Sequence, residues 1–138
     1  MARIKYNEDA IKYISMFESL SGAKIKDCIL NESLIFIVHE NEMGKAIGKN
    51  GSNIKRMENA IKKKIRLIEF NSDVCQFVSN LIYPLKSDDI KEENKSVKIY
   101  SKDTKTKGMI IGRDRHHLNA INDIVKRYFD IDGVNVVS

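Results

Sequence analysis

A chain of 138 residues, 42% of them apolar, can bury one average domain core or two small ones. No apolar run nears the roughly 18 residues a spanning helix needs, and Met1-Ala2-Arg3-Ile4-Lys5-Tyr6 holds no apolar signal-peptide core, so a cytoplasmic chain without a membrane partner is expected. The net charge is +5, yet Gly44 to Arg66 alone carries eight Lys/Arg against one acid, Glu58. The rest of the chain is therefore slightly acidic, and a concentrated cationic stretch is the footprint of a polyanion site, whereas a solvated helix face usually mixes both signs.

Taken in order, Asn7-Glu8-Asp9 reads as a helix cap with acids in the first turn, and Ala10, Ile14, Phe17 and Leu20 follow at helical spacing until Gly22. Ala23 to Leu30 and Leu34 to His39 read as strands joined by a short turn at Asn31-Glu32-Ser33. A short helix at Met43 to Ile47 leads into a glycine-rich turn. A longer helix from Ser52 to about Lys63 follows, with Ile54, Met57 and Ile61 on one side, and then a strand from Ile65 to Phe70. Asn71-Ser72-Asp73 caps another helix through Val74, Val78 and Leu81, which Pro84 stops. Asp88 to Asn94 is a poor strand with Ile90 its only apolar residue, and Val97 to Tyr100 is a better one. Gly108 to Arg115, a helix through Leu118, Ile121 and Val125, and a strand from Gly133 to Val137 complete the chain.

These two series are one series repeated. Asn7 and Asn71, Asp9 and Asp73, Phe17 and Leu81, Ile35 and Ile99, Gly44 and Gly108, Gly48 and Gly112, Ile54 and Leu118, and Ile61 and Val125 are all 64 positions apart. The register fails only after the long helix, where the second half carries an insertion near Asp130 to Gly133. A constant offset that preserves caps, core positions and glycines indicates duplication of an α-β-β-α-α-β unit, with the boundary near Asn71.

The stretch Gly44-Lys45-Ala46-Ile47-Gly48-Lys49-Asn50-Gly51-Ser52-Asn53-Ile54-Lys55-Arg56 sets three glycines and four cations between two helical segments. It is not a Walker loop, because three residues rather than four separate Gly44 from Gly48-Lys49, and Asn50 stands where Ser or Thr is needed. Nor is it a dinucleotide fingerprint, which lies between a strand and a helix. A four-residue turn between helices needs glycine where it is tightest. Without a Cβ there, a sugar-phosphate backbone can lie against it, and the amides opening the Ser52 helix favour phosphate. The segment Ile47-Gly48-Lys49-Asn50-Gly51-Ser52-Asn53-Ile54-Lys55 resembles the GxxG loop of the KH RNA-binding domain, and the element order resembles its type II variant. Two such units in tandem resemble the family of small archaeal NusA-related transcription factors.

The resemblance implies an α+β fold of two tandem type II KH domains, residues 1–70 and 71–138. Each would carry a three-stranded mixed sheet covered by helices on one face. It also implies single-stranded RNA, the nascent transcript, as ligand, with RNA polymerase as a further partner and a role in transcription elongation or termination. Gly48 and Gly51 would admit the backbone, Lys49 and Asn50 would contact phosphate or sugar, Lys55 and Arg56 would line the groove, Ile47 and Ile54 would form its apolar floor, and Asn53 would belong to the same RNA-binding set.

The second copy departs from the pattern. Ile111-Gly112-Arg113-Asp114-Arg115 stands as the second candidate RNA-binding loop but ends in arginine where the first copy has Gly51. Arg115 either crowds the approach or replaces a backbone contact with a side-chain one, and Asp114 repels phosphate. The adjacent His116 and His117 lie about 100° apart on a helix and so cannot form an i, i+4 metal pair. They read as surface histidines near the second loop. Cys28 and Cys75 lack metal spacing and read as buried free thiols. Tyr13, Phe17, Phe36, Phe70 and Phe77 occupy core-type positions, so an aromatic base-stacking sheet is not indicated. No nucleophile–base set emerges, so no catalysis, cofactor, metal or small-molecule substrate is expected. The competing readings are a ribosome-associated KH protein and a protein-interaction module docking on polymerase.

Overall fold

The computed structural model describes residues 8–30 and 33–138. The expected cap at Asn7 and the Asn31-Glu32 part of the first hairpin turn lie outside them. The described residues form two compact units, 8–71 and 72–138.

The first unit runs α1 (Glu8–Ser21), β1 (Ile25–Leu30), β2 (Leu34–Val38), α2 (Met43–Ile47), α3 (Ser52–Ile61) and β3 (Ile65–Glu69). Its sheet order is β1-β2-β3, with β1 antiparallel and β3 parallel to β2. A parallel neighbour needs a crossover. The crossover here is the pair α2 and α3, which fixes the glycine loop as the joint between them. All five residues of β2 are buried, as a continuous Leu-Ile-Phe-Ile-Val run predicts for a strand covered on both faces. Phe17 of α1 meets Phe36 of β2 edge-on with ring centroids 4.8 Å apart, and Leu34, Val38, Ala46 and Met57 pack into the same cluster. The Glu18 carboxylate accepts from the Ile25 amide at 3.0 Å, tying the end of α1 to the start of β1.

The second unit runs α4 (Val74–Ile82), β4 (Asp89–Glu93), β5 (Ser96–Tyr100), α5 (Thr104–Ile111), α6 (His116–Tyr128) and β6 (Gly133–Val137). Its sheet has the corresponding order β4-β5-β6 and the same antiparallel and parallel pairings. Asp73 caps α4 by accepting from the Cys75 amide at 3.0 Å. Four of the five β4 residues are exposed, and three of them are acidic, which blunts an edge strand against further pairing. Phe77, Val78, Val97, Ile99, Ile110, Leu118, Val125 and Val134 are buried. The α+β class with mixed three-stranded sheets is thus observed in both units.

Side chains as well as elements follow the offset of 64. Glu58 Oε2 accepts from the Ile65 amide at 2.9 Å, and Asn122 Oδ1 accepts from the Val134 amide at 2.8 Å. Each fastens the long helix to the strand that follows it. The offset lapses in the central strand. Ile25 pairs with Val38 and Asp89 with Tyr100, so the first strands are 64 apart but the central strands only 62. There are two causes. The pairing of β1 with β2 slips by one residue between Ile25 and Asp27, whereas that of β4 with β5 runs without a slip. Leu30 also pairs with Leu34 across three residues, whereas Glu93 pairs with Ser96 across two, Asn94 and Lys95, both at positive φ. Helix α5 has eight residues against five in α2, and the link that leads into it is one residue shorter, which together restore the offset at the loop. The expected match of Ile35 with Ile99 is therefore displaced by two residues.

One cysteine expectation also changes. Both thiols are free, but only Cys28 is buried, and Cys75 is half-buried. Burial, and then the neighbouring Asp27 carboxylate, push the Cys28 thiol up to about 12 against an opposing effect of Lys63. An acid raised on folding stabilises the fold fully below its ordinary value of 9.0 and loses that contribution as pH climbs towards 12. Urea unfolding at pH 8, 9 and 10 should therefore show the stability gap between the wild type and Cys28→Ala narrowing steadily with pH. A constant gap would remove Cys28 from the alkaline transition.

Candidate nucleic-acid interface

Helix α2 is barely longer than one turn, and its last amide-to-carbonyl bond runs from Gly48 N to Gly44 O at 3.0 Å. The chain then turns sharply. Gly48 has φ 75 and ψ 172, a region open essentially to glycine alone. Asn50 (φ 55) and Gly51 (φ 73) are left-handed, and the Gly51 amide closes the turn on the Gly48 carbonyl at 3.2 Å. A Cβ at Gly48 would sit 2.8 Å from the Asn53 side chain, whereas one at Gly51 would meet nothing within 4 Å. The two glycines answer different demands. Gly48 is required by the fold, while Gly51 leaves open space over the turn.

Lys49, Asn50, Lys55 and Arg56 are exposed. Lys45, Lys91, Lys95 and Lys98 each hold a carboxylate partner, whereas Lys49, Lys55 and Arg56 hold none among the described residues. Helix α3 has no side-chain cap and no acid in its first turn, unlike α1 with Glu8 and Asp9. Its positive end therefore faces solvent without compensation. Ile47 is 36% exposed and Ile54 is half-buried, leaving apolar surface on either side of the turn. Ile54 precedes Glu58 by four residues and shares its flank of α3, towards Ile65. Arg56 lies on the other flank and lines a shallow groove with Glu8, Ile11, Lys12, Ser15 and Leu20 of α1. The expected residues thus divide. Ile47 to Gly51, Ile54 and Lys55 gather around the loop, and Arg56 faces α1. Asn53 turns its carboxamide back, with Nδ2 donating to the Lys45 carbonyl at 2.8 Å.

The second loop has nearly the same backbone. Gly112 has φ 76 and ψ 171, Asp114 φ 54 and ψ 32, and Arg115 φ 62 and ψ 21, against φ 73 and ψ 17 at Gly51. The last position therefore does not need glycine to form this turn. A side chain there bears the left-handed penalty of about 1–2 kcal/mol. Arg113, Asp114 and Arg115 are exposed and Ile111 is half-buried. Met109, 48% exposed, stands where the first loop has Lys45. Asp103 caps α5 by accepting from both the hydroxyl and the amide of Thr106, and these bonds hold its carboxyl below the usual range. The His117 ring lies against the Met109 carbonyl, with Nδ1 at 3.1 Å, and would be 2.7 Å from a Cβ at Gly112. His117 is exposed, as expected of a surface histidine, and it also meets a backbone carbonyl. The only signal for it in the sequence is its place 64 residues after Asn53. Among the described residues no cluster of His, Cys, Asp or Glu could hold a metal ion, and no helix is long and apolar enough to cross a membrane.

Comparison with known proteins gives this arrangement a context. The KH domain family matches residues 11–79. The chain is similar to the probable transcription termination protein NusA of Methanocaldococcus jannaschii, with 33% identity over 99% of this chain and 77% of that protein. Its similarity to the protein of the same description in Methanococcus vannielii is also 33%, over 99% and 81% of the two chains. The Halococcus morrhuae protein of that description is 30% identical over 97% and 99%. The crystal structure of APE1850 superposes with a TM-score of 0.76 at 29% identity, covering 96% of this chain and 100% of that one.

The contrast between the glycines sets an expected result. Gly48→Ala should lower stability by about 3 kcal/mol, since steric overlap adds to a disfavoured backbone, and Gly51→Ala by about 1 kcal/mol. Denaturant unfolding of the two variants measures both, and equal losses would contradict the separate roles.

Proposed function

The chain belongs to the KH domain family, among the archaeal NusA transcription termination proteins, and on that premise we propose that it is two type II KH units in tandem that clamp single-stranded RNA at their loops during termination and elongation. The units are residues 1–70 and 71–138, and the ligand is the nascent transcript. The observation that carries this reading is the first loop. Gly51 is open above the turn, and of the four cations in the loop stretch only Lys45 has a carboxylate partner among the described residues, Glu42, which leaves Lys49, Lys55 and Arg56.

A phosphate fits over Gly51 at the uncompensated start of α3, where Lys49 and Asn50 reach it from the turn and Lys55 from the next turn of the helix. Ile47 and Ile54 receive the base faces. Arg56 extends the positive potential towards α1. In the second loop Arg113 and Arg115 supply phosphate contacts by side chain, and Asp114 weakens them. The protein acts by binding and not by catalysis. A cytoplasmic location fits a transcript-binding protein. RNA polymerase is the second partner, because a termination factor acts on the transcribing enzyme.

Fluorescence anisotropy with single-stranded RNA of about four to eight nucleotides, the span a GxxG loop clamps, tests the reading. Replacing Lys49 and Asn50 together by Asp should weaken binding about 10- to 100-fold, the equivalent of one or two charge-assisted contacts, with circular dichroism unchanged. Retained affinity would sink the loop assignment. Arg115→Gly relieves a left-handed side chain and should raise stability by up to about 1 kcal/mol. A fall in RNA affinity in that variant identifies Arg115 as a contact, and unchanged affinity assigns the work to the first loop.

A further inference from the structure

The two loops are locked by the same device built from different chemistry. Asn53 and His117 are each the second residue of the helix that leaves a loop, and they are 64 positions apart. Each reaches back eight residues to a carbonyl in the last turn of the preceding helix, Lys45 O at 2.8 Å and Met109 O at 3.1 Å. These carbonyls belong to the last turn, whose oxygens have no amide partner within their own helix once the chain swings away at Gly48 or Gly112. Each side chain also occupies the space a Cβ on that glycine would enter, at 2.8 and 2.7 Å respectively.

We propose that Asn53 and His117 are positioning residues. Each holds its loop in the RNA-ready shape by donating to a helix-end carbonyl, and neither is itself an RNA contact. The proposal rests on the loops being the RNA site. A carbonyl only accepts, so the requirement is a planar side chain with an N–H at the right reach. A carboxamide meets it through Nδ2, and an imidazole through Nδ1–H. Residue identity has changed between the copies while the donated bond has persisted. The bond does not depend on burial, since Asn53 is half-buried and His117 exposed.

The test uses the full chain with Asn53→Ala, Asn53→His, His117→Ala and His117→Asn. A mixed-sequence octanucleotide RNA is the probe, and amide hydrogen exchange is followed at residues 49–52 and 113–116. A loop that keeps its competent shape a tenth of the time binds about tenfold more weakly. Asn53→Ala should lose about tenfold in affinity and speed exchange at 49–52, while exchange in β2 stays as in the wild type. Asn53→His should restore both. His117→Ala should speed exchange at 113–116, and His117→Asn should leave it slow. Two results would overturn the proposal: Asn53→Ala with unchanged loop exchange and affinity, or Asn53→His no better than Asn53→Ala, which would make the carboxamide a direct contact. Should Asn53→Ala fail to fold, the exchange comparison between Asn53→His and the wild type, together with the His117 pair, decides the matter alone. If the wild type itself does not bind RNA, the functional reading fails, while loop exchange still reports on the lock.

Discussion

A helix of five residues cannot hold its own end. Nucleating a turn costs more than one or two hydrogen bonds return, so α2 exists because its neighbours hold it. Ala46 anchors it in the core from one side, and the Asn53 carboxamide takes up the Lys45 carbonyl from the other. Between these fixed points the chain must reverse in four residues, and only Gly48 can take the first of the dihedrals needed. The loop's shape thus follows from the way α2 is terminated.

That termination is in turn dictated by the sheet. Because β3 lies parallel to β2, the chain must return to the same end of the sheet before it can pair, and α2 with α3 is the path that does so. The path is closed by Glu58 on the Ile65 amide, and in the second unit by Asn122 on both backbone groups of Val134. A charged side chain and a neutral one do the same work there, as a carboxamide and an imidazole do at the loops. In both cases the conserved partner is a backbone atom, which any donor or acceptor of suitable reach can satisfy.

This explains which features could be read from the sequence. The glycine loop, the Asp73 cap, the apolar run of β2 and the inward positions Phe17, Met57, Leu118 and Val125 were legible, because each depends on residue type at a fixed spacing. The two-residue displacement of the central strand was hidden, because the register slip in β1 and the tighter hairpin at Asn94-Lys95, one residue each, are offset by a longer α5 before the next glycine marker. The role of His117 was hidden because it resembles Asn53 only in being able to donate. Arg56 could not be assigned to a flank of α3 until Glu58 was seen to face Ile65, and Cys75 stands too near the exposed cap of α4 to be fully covered.

Arg115 in the left-handed backbone of Gly51 has a wider consequence. In both units, the residues that hold the loop and the residues that face outward from it belong to separate sets. Mutation can therefore act on the outward set of one unit while the other keeps its own surface. The copies can diverge in what they prefer to bind, as paralogues do, without either having to evolve a new architecture and without the dissociation that separates the products of two genes.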